Sequence, residues 1–268
     1  MIESFLEALQ AFPTATLTFL VVSAFVAGFI DAVVGGGGLI QLPALLIQLP
    51  QTAIPVLLGT NKIAALTGTG LAARRYARRV RFDFRLLLVI GAFALLFAYL
   101  GAKSLHYFNP EVLKPLLFVI LLFIASYTYF KKELGQAQSK SLSLRKQLYY
   151  GSVLAMVVGF YDGFIGPGTG SFLVLGFVVL LGFEFLKASA YAKVINVMTN
   201  FSALLVFVQQ GNYLFELAIL LAVCNGTGSW LGSVTALKRG NTFIRKIFLL
   251  IVLLLLIRYG ADLYLQYR

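Results

Sequence analysis

The chain has 268 residues, of which 60% are hydrophobic and 12% are charged, and its formal net charge is +12. Because roughly a quarter of the residues are charged in an ordinary globular protein, this composition excludes a soluble protein. The basic residues lie in short loops between apolar segments, a placement that predicts topology signals and no nucleic-acid partner.

Ten apolar segments follow one another and predict an all-α integral membrane protein in contact with the lipid bilayer. They cover residues 14–34, 39–50, 54–73, 86–105, 111–130, 149–165, 170–183, 188–208, 214–236 and 243–263. Spanning takes roughly 20 apolar residues. The segments at 39–50 and 170–183 are shorter, so each is either a re-entrant half-helix or a thin crossing buried among its neighbours. The N-terminus has two acidic residues and no base before residue 10, unlike a signal peptide, so 14–34 is expected to stay as a membrane helix.

The sequence repeats itself with a shift of 131 residues. Gly28-Phe29-Ile30-Asp31 aligns with Gly159-Phe160-Tyr161-Asp162, and Lys62 aligns with Lys193. The repeat predicts a first membrane half at 1–130, a cytoplasmic linker at 131–146 and a second membrane half at 147–268. Duplicated transporters form their site where two such broken repeats meet.

Basic residues cluster at 74–85, 131–146 and 238–246. Positively charged loops stay in the cytoplasm. All three clusters lie on one side only if each half crosses five times, which turns the second half upside down. We therefore expect five plus five helices in an inverted repeat, with both termini outside.

Each half contains a glycine-rich break. The first is Gly35-Gly36-Gly37-Gly38 and the second is Gly166-Pro167-Gly168-Thr169-Gly170. Four consecutive glycines disfavour a helix by about 1 kcal/mol each relative to alanine. Unwound backbone within lipid must line a polar cavity or pack into protein. Amide groups at the start of the next helix can bind an anion, whereas close helix packing through small residues is the alternative.

One lysine follows each break within an apolar segment. A lysine at the bilayer centre costs about 2.5–3.5 kcal/mol. Lys62 and Lys193 therefore require an anionic substrate, a carboxylate or a water-filled cavity. Asp31 and Asp162 are either their counter-ions or sites of proton or cation coupling. The predicted substrate-binding residues are Lys62, Lys193, Asn61, Thr60, Gly35, Gly36, Gly37, Gly38, Gly166, Gly168, Thr169, Gly170, Asn196 and Asn200.

Catalytic and cofactor chemistry has no sequence support. The chain has one histidine, His106, and one cysteine, Cys224, so it offers no Ser-His-Asp set and no cluster with metal-ligand spacing. No nucleotide-binding fingerprint is present. We expect neither enzymatic activity nor a cofactor.

The motif Ala-Gly-Phe-Ile-Asp-Ala-Val-Val-Gly-Gly-Gly-Gly-Leu-Ile-Gln-Leu-Pro-Ala-Leu-Leu at 27–46, with Leu58-Gly-Thr-Asn-Lys62, closely resembles the TauE/SafE family of sulfite and organosulfonate exporters. The second copy, at 159–170 and 190–200, is similar to the weaker second repeat of that family. The resemblance implies a bacterial inner-membrane secondary carrier for sulfite, sulfoacetate or a related anion. Pro167 replaces Gly36 in the second copy and predicts two non-equivalent half-sites.

These observations predict a secondary transporter that exports a small sulfur-containing anion through a midplane site. One alternative is a carrier of another small anion or metabolite in which Asp31 and Asp162 bind a coupling proton or cation. A second alternative, from a different class, is a non-transporting membrane assembly factor or sensor. The sequence leaves the oligomeric state open, a homodimer included.

The inverted topology can be checked by labelling single cysteines in a Cys224→Ala background. A cysteine in the 74–85 loop and one in the 238–246 loop should both be protected from an impermeant maleimide added to whole cells. A cysteine in the base-free loop near Gln209–Tyr213 should react and serves as the positive control. Strong external labelling at either basic loop would rule out the inverted repeat.

Overall fold

The structure is a computed structural model that describes residue 5, residue 7, residues 9–107 and residues 142–266. Its helices are α1 Thr14–Val34, α2 Gly38–Gln48, α3 Ile54–Ala77, α4 Phe84–Ser104, α5 Leu144–Phe164, α6 Thr169–Leu181, α7 Phe185–Gln209 and α8 Phe215–Gln266, with a 3-10 turn at Leu105–Tyr107. No strand occurs in these ranges, and the fold is all-α as predicted.

Nine of the ten predicted apolar segments overlap these helices to within two residues at the ends they overrun, and the one at 111–130 lies outside the described residues. Among the described residues, four stretches are long and apolar enough to cross a membrane, at Thr14–Val34, Phe84–Ser104, Phe185–Gln209 and Phe215–Leu250. The last two predicted segments both lie in α8 and are separated by Gly240, whose backbone is not helical. The ten-helix inverted arrangement remains a prediction.

Two helices, α3 and α5, extend by four and five residues beyond the apolar segments that predicted them (77 against 73, and 144 against 149). Helix α3 continues through Arg74 and Arg75 in its last turn, where cations are favoured by the helix dipole. Helix α5 begins at Leu144 and includes Arg145 and Lys146, both good helix formers. An apolar pattern locates the part of a helix inside lipid and misses the polar turn that continues it into water.

The 131-residue repeat is present in the helices themselves. Helices α1, α2, α3 and α4 start at residues 14, 38, 54 and 84, and helices α5, α6, α7 and α8 start at 144, 169, 185 and 215. The offsets are 130, 131, 131 and 131 residues. The two halves are therefore built from the same series of a long helix, a short helix and two further long helices.

Long helices of one half pack against long helices of the other half. The most extensive contacts join α1 to α8 and α4 to α5, so each pair contains one helix from each half. Gly232 of α8 lies against the Phe29 backbone, and Gly101 of α4 lies against the Phe160 backbone. Both glycines and both phenylalanines differ by 131 positions. A Cβ at either glycine would overlap the facing backbone, so glycine permits the close approach.

An aromatic cluster fixes α7 just before Lys193. The Tyr191 ring lies 5.0 Å from Phe82, 5.9 Å from Phe177 and 5.1 Å from Phe183, measured between ring centroids. Its hydroxyl accepts a hydrogen bond of 2.7 Å from the backbone N–H of Asp83. This cluster connects the α3–α4 loop to α6 and α7 and sets the position of the lysine two residues further on.

The reciprocal glycine contacts predict a specific stability loss. Gly101→Ala and Gly232→Ala should each lower the free energy of unfolding by about 1–3 kcal/mol, because the added methyl group overpacks a backbone contact. Gly70→Ala is the matched control, since a Cβ there meets nothing within 4 Å. Unfolding in detergent micelles measures the effect. Equal stability of Gly101→Ala and Gly70→Ala would show that close approach is not required.

Candidate functional site

The two glycine breaks cross each other at their backbones. Helix α1 ends at Val34, and Gly35 follows with a φ of 86°. The Ser171 N–H donates a 3.0 Å hydrogen bond to the Gly35 carbonyl, and the Ser171 hydroxyl donates one of 3.1 Å to the Val34 carbonyl. A Cβ on Gly35 would overlap Gly170. Glycine at position 35 thus serves both the left-handed conformation and the contact.

The second break has a different backbone path. Gly168 has a φ of 86°, whereas its counterpart Gly37 has a φ of −58°. The Tyr161 hydroxyl donates a 2.6 Å hydrogen bond to the Pro167 carbonyl. The halves are therefore non-equivalent here, as the replacement of Gly36 by Pro167 predicted.

Both buried lysines form ion pairs with the aspartate of the other half. The Lys62 Nζ lies 2.8 Å from Asp162 Oδ1, and the Lys193 Nζ lies 2.9 Å from Asp31 Oδ2. Lys193 is fully buried and Lys62 is 2% exposed. The pairs are reciprocal, because each connects a lysine of one repeat to the aspartate of the other. Of the roles that the sequence left open, counter-ion is the one that this geometry supports directly.

A threonine hydroxyl also donates to each of the two carboxylates. Asp31 accepts a 3.0 Å hydrogen bond from the Thr69 hydroxyl, and Asp162 accepts one of 2.8 Å from the Thr169 hydroxyl. Lys62 also donates to the Asp162 backbone carbonyl at 2.8 Å, in the last turn of α5. A cation is favoured there by the negative end of the helix dipole. Lys62 therefore stabilises both the carboxylate and the end of the broken helix.

A polar cavity of about 30 Å³ lies where the breaks meet. Thirteen predicted residues line it, namely Asp31, Gly35, Gly37, Gly38, Asn61, Lys62, Asp162, Gly166, Gly168, Thr169, Gly170, Asn196 and Asn200. Lys193, Thr60 and Gly36 are not among its lining residues. Lys193 contacts Asp31, which does line the cavity. The Thr60 hydroxyl donates a hydrogen bond to the Val56 carbonyl and accepts one from the Leu214 N–H.

Four lining residues escaped the sequence analysis: Gln41, Ala65, Thr69 and Asn225. Gln41 and Asn225 are polar residues within apolar segments, which is the signal that could have found them. The Asn225 amide donates a 2.8 Å hydrogen bond to Gln41 Oε1 across the two halves. Ala65 and Thr69 follow Asn61 at spacings of four and eight, so they share its helix face.

Several buried polar atoms at the cavity lack a hydrogen-bond partner among the described residues. They are Gln41 Nε2, Asn61 Oδ1 and Asp162 Oδ2. A buried polar group without a partner costs about 1–3 kcal/mol. The set contains one donor and two acceptors, so the cavity suits a ligand or water that can both accept and donate.

Four helix ends meet at the cavity and shape its electrostatics. The two lysines and two aspartates cancel in formal charge. Helices α2 and α6 begin at Gly38 and Thr169, which both line the cavity. Each helix start carries a partial charge of about +0.5. The negative ends of α1 and α5 lie beside them at Gly35 and Asp162, so the positive contribution is local to the two helix starts, which present first-turn backbone groups from both halves.

Long apolar helices, two exchanged halves and a buried polar cavity between broken helices define a membrane transporter. The comparison with protein families agrees, because the model of the family described as Sulfite exporter TauE/SafE matches residues 20–259. The chain belongs to the TauE/SafE family.

Curated relatives are similar over nearly their full length. The chain is 39% identical over 248 residues to "Probable membrane transporter protein ORF9" of Sinorhizobium sp, covering 92% of this chain and 93% of that protein. It is 36% identical over 231 residues to "Probable membrane transporter protein" of Haemophilus influenzae, covering 85% and 88%. It is 33% identical over 234 residues to "Probable membrane transporter protein YfcA" of Escherichia coli K12, covering 85% and 83%. No solved structure matches the chain.

The ion pairs predict that removing both partners costs less stability than removing one. Lys193→Met should destabilise the protein by about 3–5 kcal/mol, because it leaves the Asp31 carboxylate buried without its cation. Lys193→Met combined with Asp31→Asn should recover much of that loss. The same cycle applies to Lys62→Met and Asp162→Asn. Thermal unfolding in detergent micelles measures all variants.

Strict additivity in both cycles would contradict the pairing, since residues in contact show coupling of about 0.5–3 kcal/mol.

Proposed function

We propose that this protein is a secondary carrier of the bacterial inner membrane that exports a small sulfur-containing anion, sulfite or an organosulfonate such as sulfoacetate. The observation that carries the proposal is the meeting of the α2 and α6 N-termini at one buried polar cavity. Helix N-termini favour anions through their dipole and their backbone N–H groups. The description of the family as sulfite exporters supports this substrate class.

The cavity suits release as well as binding. A site with two unpaired lysines would hold an anion strongly, whereas here each ammonium is neutralised by an aspartate. The remaining attraction comes from partial charges of about +0.5 at each helix start. A carrier needs such moderate binding, because its substrate must leave on the other side.

The substrate contacts are assigned to the polar groups at the cavity surface. Gln41 Nε2 is a buried donor that can bind a sulfite oxygen, and the first turns of α2 and α6 add backbone groups. Lys62 is 2% exposed and lines the cavity, so it can share its charge between Asp162 and the anion. Lys193 acts through Asp31 and holds the carboxylate in place.

Proton or cation coupling is the second candidate. Asp162 Oδ2 and Asn61 Oδ1 are buried acceptors at the cavity without a partner among the described residues. Both acceptors can ligate a small cation, and the carboxylate can instead take up a proton. In this mechanism the anion and the coupling ion use the same cavity.

Flux in proteoliposomes tests the proposal. Proteoliposomes that contain the wild-type protein should release trapped sulfite or sulfoacetate faster than protein-free liposomes loaded with the same substrate. Gln41→Leu should reduce flux at low substrate concentration by roughly 10- to 100-fold, because hydrogen bonds to charged groups contribute about 1.5–3 kcal/mol. Thr60→Val is the matched control, since Thr60 is also a buried polar residue and does not line the cavity.

Absence of sulfite and sulfoacetate flux in the wild type would overturn the substrate class. Equal loss in Thr60→Val and Gln41→Leu, at equal amounts of folded protein, would overturn the site.

A further inference from the structure

Four cations converge where the C-terminal end of α3 lies beside α8, just before Gly240 and away from the polar cavity. A pocket there is lined by Arg75, Arg78, Arg79 and Lys238, together with Val234 and Leu237, and is called the basic pocket below. No acidic residue lines it, and no salt bridge to any of these cations occurs in the described part of the chain. Arg78, Arg79 and Lys238 are exposed. The pocket therefore presents concentrated positive charge to a ligand.

An apolar groove continues from the basic pocket along the same two helices. Its lining includes Leu71, Val223, Gly226, Trp230 and Leu231, and it is almost wholly apolar. The lining residues extend on α8 from Ala222 to Leu231, a rise of about 14 Å at 1.5 Å per residue. Half of a hydrocarbon core of about 30 Å is nearly the same length. The groove thus matches the depth of one leaflet.

The basic pocket and the groove meet at one contact. The Arg75 guanidinium lies 4.6 Å from the centre of the Trp230 ring. Arg75 belongs to the basic pocket and Trp230 to the groove, and Trp230 is 47% exposed. Tryptophan is enriched at the boundary between the hydrocarbon core and the headgroups. This contact marks the boundary between the charged surface of the basic pocket and the apolar surface of the groove.

We propose that this surface binds an anionic phospholipid, with the phosphate-bearing headgroup in the basic pocket and one acyl chain in the groove. An arginine guanidinium group can bind a phosphate through two parallel hydrogen bonds. Basic pockets between membrane helices bind such anionic headgroups. A topology signal alone requires positive charge anywhere in the loop. It does not require four cations to lie together at the end of an apolar groove as long as one leaflet is deep. This arrangement therefore favours a bound lipid.

The same loop offers a matched control for the experiment. Arg74, Arg81 and Arg85 are also exposed, and none of them lines the basic pocket. The triple variant Arg78→Gln/Arg79→Gln/Lys238→Gln and the control variant Arg74→Gln/Arg81→Gln/Arg85→Gln each lose three exposed cations. Both variants keep Arg75 and its contact with Trp230. A difference in lipid binding between the two variants therefore results from the position of the lost cations, because both variants lose the same net charge.

Native mass spectrometry of the purified full chain in detergent, with equal amounts of phosphatidylglycerol and phosphatidylcholine, tests the proposal. The wild type and the control variant should retain phosphatidylglycerol preferentially. The pocket variant should lose roughly 100-fold in affinity, since each basic residue contributes about fivefold. Trp230→Ala should weaken long-chain phosphatidylglycerol more than its dihexanoyl analogue. Circular dichroism confirms that the variants remain helical.

Three results would overturn the assignment. Equal retention by the pocket and control variants would reduce the cations to topology signals. Displacement of the lipid by millimolar inorganic phosphate would define a small-anion site instead. A mass of two copies of the chain that Trp230→Ala dissociates would assign the groove to self-association.

Discussion

The structure depends on two buried ion pairs exchanged between the halves. A lysine or a carboxylate inside a membrane protein requires a partner, because water is not available to solvate it. Here the partner always comes from the other half, with Lys62 bound to Asp162 and Lys193 bound to Asp31. The helices α1, α3, α5 and α7 that carry these residues are thereby fixed around one point, and both glycine breaks lie there. The cavity is the space that this arrangement leaves between the breaks.

Glycine makes the exchange sterically feasible. Gly101 and Gly232 bring α4 onto α5 and α8 onto α1, and Gly35 meets Gly170 at the crossing of the breaks. The sequence analysis connected the glycines of the breaks mainly with anion binding. For Gly35 and Gly170 the structure gives a packing reason as well, since their backbones touch. Backbone contact and a ligand cavity occur together here, because the same unwound segments provide both.

Much of this arrangement could be predicted from the sequence. The length of the apolar segments located the helices. The 131-residue repeat predicted that four residues belong to one site, namely Asp31, Lys62, Asp162 and Lys193. Pairing across halves could not be predicted, because spacing along one helix does not tell which neighbour faces it. Gln41 and Asn225 were missed for a related reason. Each is a single polar residue in an apolar segment, and their hydrogen bond forms between segments 184 positions apart.

The exchange of partners also has a consequence for synthesis. Lys62 and Asp162 are separated by 100 residues, and Asp31 and Lys193 by 162. At about 5–20 residues per second, Lys62 leaves the ribosome roughly 5–20 s before its carboxylate. During that interval the first half contains one unneutralised cation and one unneutralised anion. The nascent first half must therefore keep these side chains near water, or near each other, until the second half arrives and separates them into their final pairs.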